Sequence, residues 1–137
     1  MQAFLKALPP NKNTDAPIRV VDVGGYKLGV YGVFRSKSIL KQGANLHETK
    51  VSEIYYILDG AGVLVTGGTL TPPITKATFG FGVNESADSI EGGFSRRVSK
   101  GDIVIIPGGV AHWWSSIESD LTHLIYRPDP EGKQPLK

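Results

Sequence analysis

The side chains able to do polar chemistry in this 137-residue chain are few: three histidines, His47, His112 and His123, thirteen carboxylates and no cysteine. Without Cys there is no disulfide, no thiolate zinc site, no iron–sulfur cluster and no Cys nucleophile, so any metal must be held by nitrogen and oxygen. The spacing of the donors is informative. Glu53 follows His47 by six residues and Gly60 follows Glu53 by seven. After a gap of 40 residues comes the run from Gly101 through Pro107, Gly108 and Gly109 to His112.

Short strands must position these groups. The chain spends 17 Gly and 9 Pro on its 137 positions, a proportion that suits many tight turns and not long helices. Apolar residues make up 40% and charged residues 20%, enough for a core and outside the range of disorder. β-rich segments recur at Ile18 to Val23, Leu28 to Phe34, Ile54 to Leu58, Val63 to Thr66, Ile103 to Ile106 and Leu121 to Tyr126. Turn residues such as Gly24-Gly25, Asp59-Gly60, Gly67-Gly68 and Gly92-Gly93 separate them, and Glu53 to Gly60 reads as a strand ending in an Asp-Gly hairpin turn. No stretch of helical length holds a 3.6-residue period, which predicts an all-β protein of low helix content. Residues 1–17, with Pro9-Pro10 and Pro17, read as an extended arm whose Phe4, Leu5 and Leu8 pack on the domain or on a neighbour. Residues 18–127 form the domain. Within it, 67–93 reads as a long insertion or lid, poor in strand pattern, and contains the sequon Asn84-Glu85-Ser86. Residues 128–137 form a tail that ends as an irregular strap or a mobile terminus.

The two donor-bearing segments resemble the paired motifs of the cupin superfamily. The first motif of that family has two His separated by one residue, a Glu four residues after the second, and a Gly seven beyond; His47, Thr49, Glu53 and Gly60 stand at these places. The second has Gly, Pro, Gly and His at fixed intervals, matched by Gly101, Pro107, Gly109 and His112. Thr49 replaces the second His, Lys41 the usual opening Gly, and Ser116 the closing Asn. Four fixed positions around an apolar strand make the second motif the specific one.

The resemblance implies a small antiparallel jelly-roll β-barrel with a divalent metal held by His47, Glu53 and His112. Two imidazoles and a carboxylate form a facial triad with open positions for water, oxygen or substrate, and iron, manganese, zinc, nickel and cobalt all suit it. Period-2 alternation would aim Thr49 inward with His47, Tyr55 and Ile57 with Glu53, and Trp114 and Ser116 with His112. These define an expected substrate pocket of Thr49, Ile57, Trp114 and Ser116, in which Trp114 is either a stacking platform or a core aromatic. Tyr55 and His123 are the candidates for positioning substrate or moving protons, His123 reading equally as a hydrogen-bonded bystander.

The expected activity is that of a metal-dependent enzyme on a small organic molecule, of dioxygenase, isomerase or lyase type. The alternatives are a noncatalytic cupin binding a sugar or aromatic acid, and a metal-free structural cupin dimer. A formal charge of +2 gives no electrostatic basis for nucleic-acid binding, and no apolar run is long enough for a membrane span. Exposed strand edges and the apolar arm favour a homodimer. Met1 to Leu8 is too short for a secretory leader, so the cytoplasm is the default compartment, with secretion or a periplasmic location left open if a leader was removed.

Overall fold

The computed structural model describes residues 1–137. It contains one short helix, α1 (Gln2–Lys6), and eleven strands: β1 (Thr14–Asp22), β2 (Lys27–Arg35), β3 (Ala44–His47), β4 (Glu53–Thr66), β5 (Thr69–Leu70), β6 (Thr75–Phe79), β7 (Gly82–Ala87), β8 (Ile90–Glu91), β9 (Phe94–Ser99), β10 (Ile103–Ile106) and β11 (His112–Asp129). Nine strands form one curled antiparallel sheet, while β5 and β8 make a separate two-stranded pair. This is the antiparallel jelly-roll architecture expected for the chain. No helix is long and apolar enough to cross a membrane.

β11 is the seam that curls the sheet. Its second half pairs with β2 on one side, from Leu121 opposite Arg35 to Asp129 opposite Lys27, and with the start of β4 on the other. Its first residues, His112 and Trp113, lie between β3 and the far end of β4. The register slips between Trp114 and Ser116 and at three later points, so the strand bends around the barrel wall instead of crossing it straight.

β4 corrects one sequence expectation. It does not stop at Asp59-Gly60 but continues to Thr66, pairing with β10 through Glu53 to Tyr56 and with β9 through Ala61 to Thr66. Gly60 has φ +84°, and its Cα lies against the backbone of Asp120 and Leu121. A positive φ at a site with no room for a Cβ makes Gly60 a bend in one strand, not a hairpin turn between two.

Inward-facing residues of β1, β2, β4, β9, β10 and β11 form the main core, with Val33, Tyr55, Ile57, Leu64, Trp114, Leu121 and Ile125 at its centre. Each such side chain removed from water contributes about 1.5–3 kcal/mol. A second cluster, including Ala44, Val65, Leu70, Ile90 and Ala111, sits beneath the 67–93 stretch. That stretch is richer in strand than its composition suggests. It holds β5 to β8, and β7 pairs with β3 from Ala44 opposite Ala87 to His47 opposite Asn84.

The N-terminal arm is less extended than the sequence reading, whereas the tail takes the first of its two expected forms. α1 lays Phe4 and Leu5 on Gly32, and β1 begins at Thr14 and accommodates Pro17 because it is an edge strand with a register slip beside it. The tail runs as an irregular strap. Gln134 is fully buried, accepting from the Tyr31 hydroxyl at 2.7 Å and donating to the Arg127 carbonyl at 2.9 Å. Lys137 exchanges two backbone hydrogen bonds with Val20.

Candidate metal centre

Three strand ends deliver the donors. His47 is the last residue of β3, Glu53 the first of β4 and His112 the first of β11. Between the first two the chain bends at 48–52, where Val51 is buried and the Thr49 hydroxyl accepts the Val51 amide proton at 3.4 Å. The Pro107-Gly108-Gly109-Val110 turn, closed by Val110 N–H to Pro107 O at 3.2 Å, feeds His112 into the same corner.

His47 Nε2 and His112 Nε2 stand 3.2 and 3.0 Å from the same oxygen, Glu53 Oε1. The donor atoms of all three residues lie within 4.8 Å of one another. His112 Nδ1–H donates to Val110 O at 3.1 Å, which fixes the ring and turns Nε2 toward the carboxylate. Two electron-rich atoms facing each other at 3.0 Å require a cation between them, a proton or a metal ion. His47 Nδ1 is buried without a partner. The donor set and its orientation thus fit a divalent ion with imidazole and carboxylate ligands.

Glu53 is itself held by a residue that sequence reasoning missed. Its Oε2 accepts from Arg127 Nε at 2.7 Å, and the other end of that guanidinium donates to both oxygens of Asp15, at 3.1 and 2.6 Å. The Arg127 plane is flanked by the rings of Tyr31 and Phe81, at 4.2 and 4.8 Å. Burial drives the Glu53 carboxyl upward, but the Arg127 charge and the hydrogen bonds of His112 and His47 outweigh it and hold it well below the ordinary carboxylate range. Glu53 is consequently ionised although only 1% exposed. Arg127 is held protonated in turn: burial opposes its charge, and Glu53 and Asp15 more than compensate.

The centre opens on a cavity of about 340 Å³. Tyr55 lines it, as do the rings of Tyr31, Phe79 and Phe81 and the polar side chains of Arg35, Asn45, Asn84 and Ser86. Burial, and next the Glu53 charge, push the Tyr55 phenol well above its usual range, so it is a neutral hydroxyl and not a base.

The expected pocket residues lie elsewhere. Thr49 falls after β3 has ended, so it does not alternate inward with His47 but packs on Gly82. Ile57 and Trp114 face inward yet sit deeper, in the core, with Trp114 stacked on Tyr55 at 6.3 Å. Ser116 is exposed because the slip after Trp114 turns Ile117 to the core in its place. His123 is buried beneath Tyr55, ring centroids 4.5 Å apart, and does not line the cavity. Burial, reinforced by the Arg35 charge, lowers its pKa to about 3, which makes it a neutral packing residue. Asn84 of the sequon is 3% exposed and hydrogen-bonded to Asn45 and Ser86, not free to carry a glycan.

The missed residues carried a partial signal. Arg127 shares parity with His123 and Ile125 on β11, and Arg35 with Tyr31 and Val33 on β2. Nothing local pointed to Asp15, which reaches Arg127 only through the pairing of distant strands.

The family model described as cupin matches residues 9–136. No curated protein matches the chain. Among solved structures, the TT1209 protein of Thermus thermophilus is 14% identical with a TM-score of 0.56, the match covering 94% of each chain. Hydroquinone 1,2-dioxygenase from Sphingomonas sp. TTNP3, solved with 4-hydroxybenzoate bound, is 12% identical with a TM-score of 0.55, covering 94% of this chain and 71% of that one. DMSP lyase DddQ from Ruegeria pomeroyi is 17% identical with a TM-score of 0.55, covering 91% of this chain and 52% of its own length. At these identities the likeness is one of fold.

Proposed function

The chain belongs to the cupin family, and from that premise we propose that it is a metal-dependent enzyme acting on a small organic molecule in the barrel cavity. The carrying observation is the shared approach of His47 and His112 to one oxygen of a fully buried, ionised Glu53 at the cavity wall. His47, Glu53 and His112 would hold the ion, and iron, manganese, zinc, nickel and cobalt suit the donors equally. Bound there, a divalent cation supplies Lewis-acid polarisation of a substrate oxygen. The chain's own contributions are specific. Val110 O orients His112, Arg127 keeps Glu53 deprotonated and aimed, and Tyr55 offers a neutral donor to a substrate atom. Phe79 and Phe81, at the β6–β7 turn, line the cavity with apolar surface. Dioxygenase, isomerase and lyase chemistries all remain compatible with these roles, since one fold hosts many reactions.

Metal analysis tests this reading. Protein loaded with each of the five ions and then desalted retains about one equivalent of at least one of them, and Glu53→Gln or His112→Ala weakens its binding by more than about 100-fold. Retention below about a tenth of an equivalent for every ion, unchanged in the variants, overturns it. That result, joined to a dimer mass in solution, selects the second reading, a metal-free structural cupin homodimer. Its support is the outer face of edge strand β10, where Ile103 and Ile105 are 65% and 67% exposed.

A further inference from the structure

The cavity contains one cationic side chain that the protein leaves without a counterion. Arg35 is the last residue of β2 and shares the inward face of Tyr31 and Val33, which are 6% and 1% exposed. It lines the cavity beside Tyr55, and its Nε is buried with no hydrogen-bond partner. The two carboxylates of the lining are already engaged, since Asp15 and Glu53 both bind Arg127. A buried guanidinium donor without an acceptor is costly, and native proteins keep one chiefly where something else supplies the acceptor.

From this juxtaposition we infer that the cavity takes a small carboxylate, its carboxyl group seated on Arg35 and its apolar body against Tyr55, Phe79 and Phe81. The inference deepens the metal-site reading by naming the substrate class. One further feature agrees with it. The ionised side chains of the lining are two carboxylates and two guanidiniums, so a divalent cation at His47, Glu53 and His112 leaves the cavity positive and an anionic guest restores the balance. The planar fork of Arg matches a carboxylate with two parallel hydrogen bonds, which neither an amide nor an alcohol reproduces. A volume of about 340 Å³ lies at the small end of ligand pockets and limits the guest to a compact acid.

The test uses protein freed of metal, so that failure of the metal site and failure of this inference show separately. Acetate, oxalate, benzoate and phenylacetate are titrated calorimetrically, each against its neutral amide. At least one acid binds at one per chain, about tenfold or more tighter than its amide. Arg35→Gln weakens that binding by about 10- to 100-fold, and Arg35→Lys, which keeps the charge but loses the fork, falls between. The inference is overturned if none of the acids binds, if acid and amide bind alike, or if Arg35→Gln binds as the unaltered protein does. Should Arg35→Gln fail to fold by circular dichroism, the acid-against-amide comparison and Arg35→Lys decide the matter alone.

Discussion

Replacing His123 by Leu should flatten the acid limb of the protein's stability. His123 is fully buried between Tyr55 and Trp114, its Nε2 has no partner, and its folded pKa of about 3 lies far below the 6.5 of an exposed imidazole. A lowered folded pKa means that the unfolded chain takes up the proton first. The stability owed to a neutral His123 is therefore fully present above about pH 6.5 and is lost progressively as pH falls toward about 3. At about 1.36 kcal/mol per pH unit for one proton, the folded protein should lose about 2.5 kcal/mol between about pH 7.5 and 4.5 from this group alone. Glu53, also depressed, loses its contribution as pH falls too, but it is common to both proteins and cancels in the difference. The assay is urea unfolding of the metal-free protein at half-unit pH steps, comparing original and His123→Leu. The expected result is a gap between the two stabilities that shifts by about 2.5 kcal/mol in favour of the variant across that range. Parallel profiles, agreeing within about 0.5 kcal/mol, would refute the assignment of His123 as a buried neutral ring.

Two further outcomes follow from the packing. Arg127→Met strips Glu53 and Asp15 of a shared partner and should cost about 3–5 kcal/mol at neutral pH in the same urea assay; a loss under about 1 kcal/mol would mean that the buried network is not maintained in solution. Gly60→Ala places a Cβ against the Asp120 carbonyl and 2.8 Å from Leu121 Cα at a positive φ, so the thermal midpoint should fall by an amount equivalent to about 3 kcal/mol.

The donors of the candidate centre were legible because they stand at strand ends beside turns, where spacing in sequence maps closely onto position in space. Gly101, Pro107 and Gly109 announce a turn, a short apolar strand and a second turn, and His112 follows at a fixed distance. Extrapolation along a strand by parity was less secure. It held for Tyr55, two residues from Glu53, and failed at Ser116, because a one-residue slip exchanges the two faces of β11. Asp59-Gly60 misled for a related reason: the pair has the chemistry of a hairpin, but the close approach of Asp120 that makes it a bend belongs to a strand some sixty residues away. Arg127 and Asp15 lay beyond any local pattern. Their meeting depends on β1, β2 and β11 lying side by side, which is a property of the whole sheet.

The length of β11 bears on when the centre comes into being. Its 18 residues supply partners for β2, β3 and β4 and carry His112 and Arg127, so the constellation is incomplete until the C-terminal quarter of the chain is in place. A nascent chain that has exposed only β3 and β4 offers a cation one imidazole and one flexible carboxylate. All-β topologies dominated by such distant contacts fold in milliseconds to seconds, slowly beside the exchange of hydrated ions. The three donors thus come together only in the finished barrel, and an ion would meet them there.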